Sequence, residues 1–352
     1  MELIERKDVW TYLKETDRPI VLYGTGNGAD KIFSVFDKYG ITVSDMFMSD
    51  DFYREDVIFH GFKLKRFAEI LELYENPIIV LAFAAFRRDL LGKIKGIAKK
   101  YEVLAPEVPV FGDDYFSIET IEKYSKEIEK TYSLLADDLS RKVFKNSLEY
   151  RISGKIDYLF SCETERDEVF ENIIKLSDSE VYVDLGAYRG DTVEEFLLMT
   201  HGKYEHIYAL EPDIKNYNKL IENMGTLSNA EFINKASFSD KRVVRFEGGG
   251  GRNSNIADDG ELFVHTTDVD SVLSGRAATY IKMDVEGAEA ETLEGLKNTL
   301  ANCKPKLAVS AYHRTADLFT LPILISSLNP DYKIYLRHHP YIPDWETNIY
   351  CI

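Results

Sequence analysis

The chain is poor in cysteine, in basic charge and in long apolar runs. Its three cysteines, Cys162, Cys303 and Cys351, are odd in number and widely separated. That argues against a disulfide framework and against a Cys-based zinc site, and the expected setting is a reducing cytoplasm. No apolar run reaches the ~18 residues of a membrane-spanning helix. The start, Met1-Glu2-Leu3-Ile4-Glu5-Arg6, lacks the basic-then-apolar layout of a secretion signal. Lysine and arginine number 43 against 60 aspartates and glutamates, a formal net charge of −17. Phosphate backbones and anionic lipid repel such a chain, so no nucleic-acid partner and no membrane surface are expected. The densest basic patch, Arg87-Arg88 with Lys93, Lys95, Lys99 and Lys100, reads as the solvated face of a helix.

What is present is an alternation of short β-rich runs with helical stretches, the pattern that builds a parallel sheet. At 352 residues the chain has room for two or three domains. The first unit, 1–112, has strand candidates at 19–23, 42–48, 77–83 and 102–104. Helices are expected over 30–39, 66–74 and 86–100. Residues 113–176 differ in texture: apolar residues such as Ile118, Ile121, Tyr124, Ile128 and Tyr132 recur at helical spacing. This reads as a helical connector that also caps the last unit. The second α/β unit, 177–352, offers strands at 181–186, 206–210, 231–234, 279–283, 306–310, 332–337 and 348–351. Four consecutive glycines at 248–251 cannot hold a regular element and are expected to form a mobile loop that closes over a ligand.

The informative run is Asp184-Leu185-Gly186-Ala187-Tyr188-Arg189-Gly190-Asp191-Thr192. It joins a buried strand to a helix. Glycine at such a turn lets the backbone approach a ligand, and Asp191 or Thr192 is placed to cap the helix. The next strand ends in Ala209-Leu210-Glu211-Pro212-Asp213, about 20 residues on, where an acid can accept hydrogen bonds from both ribose hydroxyls. A glycine turn alone is also an ordinary structural turn. The third element discriminates: Tyr280-Ile281-Lys282-Met283-Asp284-Val285-Glu286-Gly287-Ala288-Glu289 follows a later strand. Side chains alternate along a strand, so Lys282 and Asp284 share a side and are expected to pair. Asp284 falls at the carboxyl end of the sheet, where ligands bind in such folds.

Together, "VDLGAYRGDT", "ALEPD" and "YIKMDVEGAEAETLEG" resemble the FkbM family of S-adenosylmethionine (SAM) dependent methyltransferases, over roughly residues 134–352. The resemblance implies a class I methyltransferase Rossmann-like sheet with SAM as cofactor. It also implies O-methylation of a hydroxyl on a sugar, glycoconjugate or secondary metabolite. Tyr188 replaces the middle glycine of the commonest methyltransferase pattern, a departure that FkbM-like sequences share. Carried over residue by residue, Asp184, Gly186, Ala187, Gly190 and Asp191 line the methionine and ribose part of SAM. Glu211 with Pro212 holds the ribose, and Asn234, Lys235 and Ala236 border the adenine. Asp284 sits by the transferred methyl.

An attacking alcohol must lose its proton, so a base is sought among Asp284, Glu286, Glu289 and His313, with Lys282 beside them. Glu286 and Glu289 are equally explained as acids in the first turn of a helix. No metal is expected, because no tight ligand spacing such as H-E-x-x-H occurs. Asp284, His313 and His338-His339 are the nearest donors. The His338-His339 pair reads as a strand end beside the acceptor pocket or in solvent.

Gly24-Thr25-Gly26-Asn27-Gly28-Ala29, with Asp50-Asp51 near the end of the next strand, also matches a dinucleotide fingerprint. An NAD(P)-linked oxidoreductase or a nucleotide-sensing protein is therefore the rival reading. The acceptor's identity stays open, as does homo-oligomerisation. Specificity is expected from the connector, the 247–259 loop and the region around Tyr312.

Overall fold

The computed structural model describes residues 1–108, 115–247, 255–256, 260 and 262–352. The glycine loop expected over 248–254 lies outside the described residues.

The N-terminal sheet has five parallel strands: β1 (Ile20–Tyr23), β2 (Asp45–Met48), β3 (Lys65–Arg66), β4 (Ile78–Leu81) and β5 (Glu102–Leu104). Their spatial order is β3-β2-β1-β4-β5, with every pairing parallel. Strand alternation divides the apolar residues between two cores. Ile20, Leu22, Ile78 and Val80 face the helices Val9–Glu15 and Asn27–Tyr39. Val21, Tyr23, Ile79 and Leu81 face Phe67–Leu73 and Arg88–Ala98. Both faces are buried, which is why these strands read as continuous apolar runs.

The C-terminal sheet has seven strands: β6 (Val181–Leu185), β7 (His206–Leu210), β8 (Ala230–Ile233), β9 (Tyr280–Met283), β10 (Lys306–Ser310), β11 (Ile334–His338) and β12 (Thr347–Cys351). Their order is β8-β7-β6-β9-β10-β12-β11, and only β12 runs antiparallel to its neighbours. The order reverses between β6 and β9, so the crevice for a ligand opens at their carboxyl ends. Short strands Ala236–Ser237, Val243–Glu247, Asn255–Ile256 and Leu262–Thr267 form a separate four-stranded sheet.

The connector is helical as expected, with helices Ser125–Leu134 and Asp138–Ser153 its longest elements. Asp137 caps the second by accepting from the Ser140 N–H, and Gly154 ends it in the left-handed conformation (φ 69°). Ile128, Val143, Phe144, Leu148 and Ile152 share one core with Val183, Ile281 and Leu307 of the sheet. Tyr150, Ile156 and Leu159 of the same segment join the core of Val21, Ile79 and Leu81, so the connector packs on both units. Among the described residues, no helix is long and apolar enough to cross a membrane.

Candidate functional site

A cavity of about 880 Å³ opens at the carboxyl ends of β6, β7, β9 and β10. Gly186 ends β6 with φ +82°, and a Cβ there would lie 1.9 Å from the Asp284 carbonyl oxygen. Only glycine lets the ends of β6 and β9 close on each other. The Gly186 and Ala187 N–H groups both donate to the Leu210 carbonyl, at 3.1 and 2.9 Å. Asp184, fully buried beneath the turn, accepts from the Thr192 hydroxyl at 2.5 Å. The β6–β9 register sets Lys282 opposite Asp184. Lys282 accordingly pairs with Asp184 (3.3 Å) and donates to the Gly186 carbonyl (2.9 Å), a correction to the expected pairing with Asp284. Burial opposes the charge on Lys282, but Asp184 and Asp284 hold its ammonium above the usual lysine range.

Helix Asp191–Met199 is capped by Gly190 without a side-chain bond. Neither Asp191 nor Thr192 takes the expected capping role; the Thr192 hydroxyl is turned to Asp184 instead. A Cβ on Gly190 would meet Met224 Cγ at 2.7 Å, so this glycine serves helix packing. Gly186, Asp191, Glu211, Pro212, Lys235 and Ala236 line the cavity. Asp184, Ala187 and Gly190 stand behind its wall. Glu211 is 6% exposed; its two carboxyl oxygens accept from the Tyr188 and Asp213 N–H groups, each at 2.9 Å. Burial pushes this carboxyl up to about 7, against the pull of those two N–H donors. Asn234 braces the turn by donating to the Glu211 and Pro212 carbonyls (2.9 and 3.0 Å).

Further along the same wall, Asp284, Glu286 and His313 converge. His313 is only 2% exposed. Its Nδ1 donates to Glu289 Oε1 at 2.8 Å, and its Nε2 lies 3.3 Å from both Asp284 Oδ1 and Glu286 Oε2. Glu289 also accepts the Val285 N–H at 3.1 Å. The Tyr312 hydroxyl donates to Asp284 Oδ1 at 3.3 Å. Glu286 does not belong to a helix turn as expected. It sits in the preceding loop with φ +53°, and the helix begins at Glu289. Burial disfavours the imidazolium of His313, yet Glu289, Asp284 and Glu286 together raise it to about 10. Burial pushes Glu286 up to about 8. Burial works the same way on Asp284, but Lys282 and His313 outweigh it and hold that carboxyl below its usual range.

His338 and His339 are not in solvent. His338 Nδ1 bonds Thr347, and His339 bridges the Thr164 carbonyl and the Tyr350 hydroxyl. Burial lowers them to about 3 and about 4, so both are neutral braces of the sheet edge.

The far end of the cavity was not visible in the sequence. Phe86 and Arg88 of the N-terminal unit line it, beside Tyr341 and Trp345. Ala85 and Ile342 exchange backbone hydrogen bonds (2.7 and 2.9 Å), and the Phe86 ring stacks on Tyr341 at 5.7 Å. The one hint in the sequence was an apolar Phe86 directly before the basic run Arg87-Arg88. The N-terminal glycine turn has its own explanation in packing. A Cβ on Gly24 would meet the Phe83 ring at 2.4 Å, and one on Gly28 the Ala82 carbonyl oxygen at 2.4 Å.

Residues 184–342 match the model of the methyltransferase FkbM domain. The C-terminal domain belongs to the FkbM methyltransferase family. Both units share the fold of the FkbM methyltransferase of Methylobacillus flagellatus. That likeness has a TM-score of 0.74 at 23% identity, over 95% of this chain and 90% of that one. Fibrillarin of Aeropyrum pernix, solved with SAM natively bound, aligns with only 52% of this chain and 72% of its own, at 11% identity and a TM-score of 0.35. No curated protein sequence matches the chain. FkbM methyltransferases are SAM-dependent, and the FkbM domain here places its glycine turn, Glu211 and Asp284 along one continuous wall.

Proposed function

We propose that this chain methylates a hydroxyl oxygen of a sugar, a glycoconjugate or another small polar metabolite, with SAM as the donor. The observation that carries the reading is one cavity joining a nucleoside cradle, Gly186 and Glu211, to an acid–imidazole cluster, Asp284, Glu286 and His313. The residues fit the cofactor. A carboxylate has about four lone-pair sites, and the two backbone N–H groups on Glu211 leave acceptor capacity for two ribose hydroxyls. Gly186 and Asp191 border the amino-acid portion, while Lys235 and Ala236 border the base. When bound, SAM supplies a methyl already activated on a sulfonium.

The chain's own task is to align an oxygen and remove its proton. Asp284 is suited to that step: 31% of its side chain is open to the cavity, whereas His313 is buried. His313 and Tyr312 hold the Asp284 carboxyl in place. Lys282 orders the floor through Asp184. The aromatic Tyr341 and Trp345, with Arg166 held by Glu195 and Glu346, give the acceptor end the mixed ring and polar lining that suits a sugar.

The test is calorimetry with S-adenosylhomocysteine, followed by transfer of labelled methyl from SAM to a panel of glycosides and hydroxylated metabolites. Asp284→Asn is expected to slow transfer ~100- to 10,000-fold while leaving product affinity nearly unchanged. Failure of the wild-type protein to bind S-adenosylhomocysteine would overturn the reading.

A further inference from the structure

We infer that Asp284, Glu286 and His313 form a binding site for a divalent cation of the magnesium or manganese class, at the acceptor end of the cavity. Three features of the cluster lead there. First, one donor atom from each side chain lies within 4.8 Å of the others. The Nε2 of His313 is 3.3 Å from a carboxyl oxygen of each neighbour. Ligands held ~2.1 Å from a small divalent ion and set at right angles lie ~3.0 Å apart, so a slight contraction seats the ion.

Second, the imidazole is oriented as ligating histidines are. Its Nδ1–H is fixed by a carboxylate, which sets the tautomer and aims Nε2 at the other two donors. Glu289 is itself pinned by the Val285 N–H and is fully buried. Third, the second oxygen of Glu289 is buried without a hydrogen-bond partner. Three carboxyl groups converge on this one imidazole. Two carboxylates and one imidazole are a hard, oxygen-rich set, which favours magnesium or manganese over thiophilic metals. With three protein ligands, the remaining positions face the cavity and are filled by water or by the acceptor oxygen.

The role of the ion rests on the methyltransferase reading; its presence does not. A hydroxyl bound to the cation loses its proton more readily. That proton passes to the second oxygen of Asp284 and on to water. The oxygen forms the new C–O bond as the carbon–sulfur bond breaks.

The experiment uses the full-length chain and manganese alone. Electron paramagnetic resonance titration is expected to show one tight Mn²⁺ per chain. Pulsed spectra should carry nitrogen coupling from a single imidazole, altered by ¹⁵N-histidine labelling and lost in His313→Gln. Glu286→Gln, an isosteric change at a partly open position, should weaken binding at least ~10-fold; Glu289→Gln should weaken it ~10- to 100-fold, as loss of an outer partner does. Absence of stoichiometric binding at millimolar manganese would overturn the proposal. So would a bound ion with no imidazole coupling and no response to Glu286→Gln. S-adenosylhomocysteine binding, measured separately, keeps the two questions apart. Product binding without manganese binding ends the cation site alone, and the reverse ends the methyl-transfer reading alone.

Discussion

A single buried carboxyl, Glu211, stands at the proposed cofactor end of the cavity, where burial makes it harder to ionise. It is held between two backbone N–H donors at 6% exposure, and burial raises it to about 7. For stability the sign is simple. The fold favours the protonated acid, so that contribution is full below the ordinary carboxylate range and is lost as pH rises through about 7. The ribose binding proposed for Glu211 has the opposite sign, because hydroxyls donate to the ionised form. Affinity for S-adenosylhomocysteine should therefore fall as pH drops below about 7, approaching tenfold per pH unit. Glu211→Gln should bind weakly at every pH with a flat profile. Calorimetry across that interval checks both; an equally steep profile in Glu211→Gln would assign the titration to another group. Glu211 was legible in the sequence because spacing from a glycine turn is a chain-local signal. The partner of Lys282 was not. Alternation along a strand says which side a residue faces, and only sheet register says that Asp184 is its neighbour. The Glu289–His313 bond was hidden for the same reason, since its partners come from two different loop-and-helix segments.

Whole elements were easier to read than their ends. Every strand of the two main sheets except β3 was legible, because runs such as Val181–Leu185 and Ile78–Leu81 are buried along their full length. β3 has two residues, and the small sheet's strands Val243–Glu247 and Leu262–Thr267 are half-exposed, so neither gives an apolar run. The connector's helices were visible by period and their docking on the last unit was expected, but the residues they bury there were not. Phe144 on helix Asp138–Ser153 is fully buried in the core it shares with β6, β9 and β10. Phe144→Ala should cost about 3–5 kcal/mol, the range for deleting a buried ring. The denaturant midpoint of the C-terminal unit, followed through its ligand binding, should fall accordingly. A change confined to the connector, with the sheet's unfolding untouched, would show that the two are separate cooperative units.

At the scale of the molecule, the two units meet around a buried ion cluster that draws on three segments of the chain. Arg151 of the connector is fully buried and pairs with Asp344 at 2.7 Å and Glu107 at 3.3 Å, and it also donates to the Thr315 carbonyl. Near it, the Ala85–Ile342 bonds and the Phe86–Tyr341 stack carry the N-terminal unit into the cavity wall. The shape of that end of the cavity therefore depends on how this junction holds. One guanidinium faces two buried carboxyls, so one negative charge is matched and the second is costly. Burial, with Asp344 adding to it and Arg151 opposing, pushes Glu107 up to about 8. The fold thus favours a proton on Glu107, and that stabilisation is present below the ordinary carboxylate range and lost as pH rises through about 8. Glu107→Gln keeps the neutral shape and cannot ionise. Its unfolding midpoint should lie near the wild type's in mild acid, rise above it progressively from the ordinary carboxylate range up to about pH 8, and hold a constant lead beyond that. Thermal or denaturant unfolding of both proteins across that range makes the comparison. Parallel curves for the two proteins would show that Glu107 is already ionised in the folded state and that the junction holds two full negative charges around Arg151.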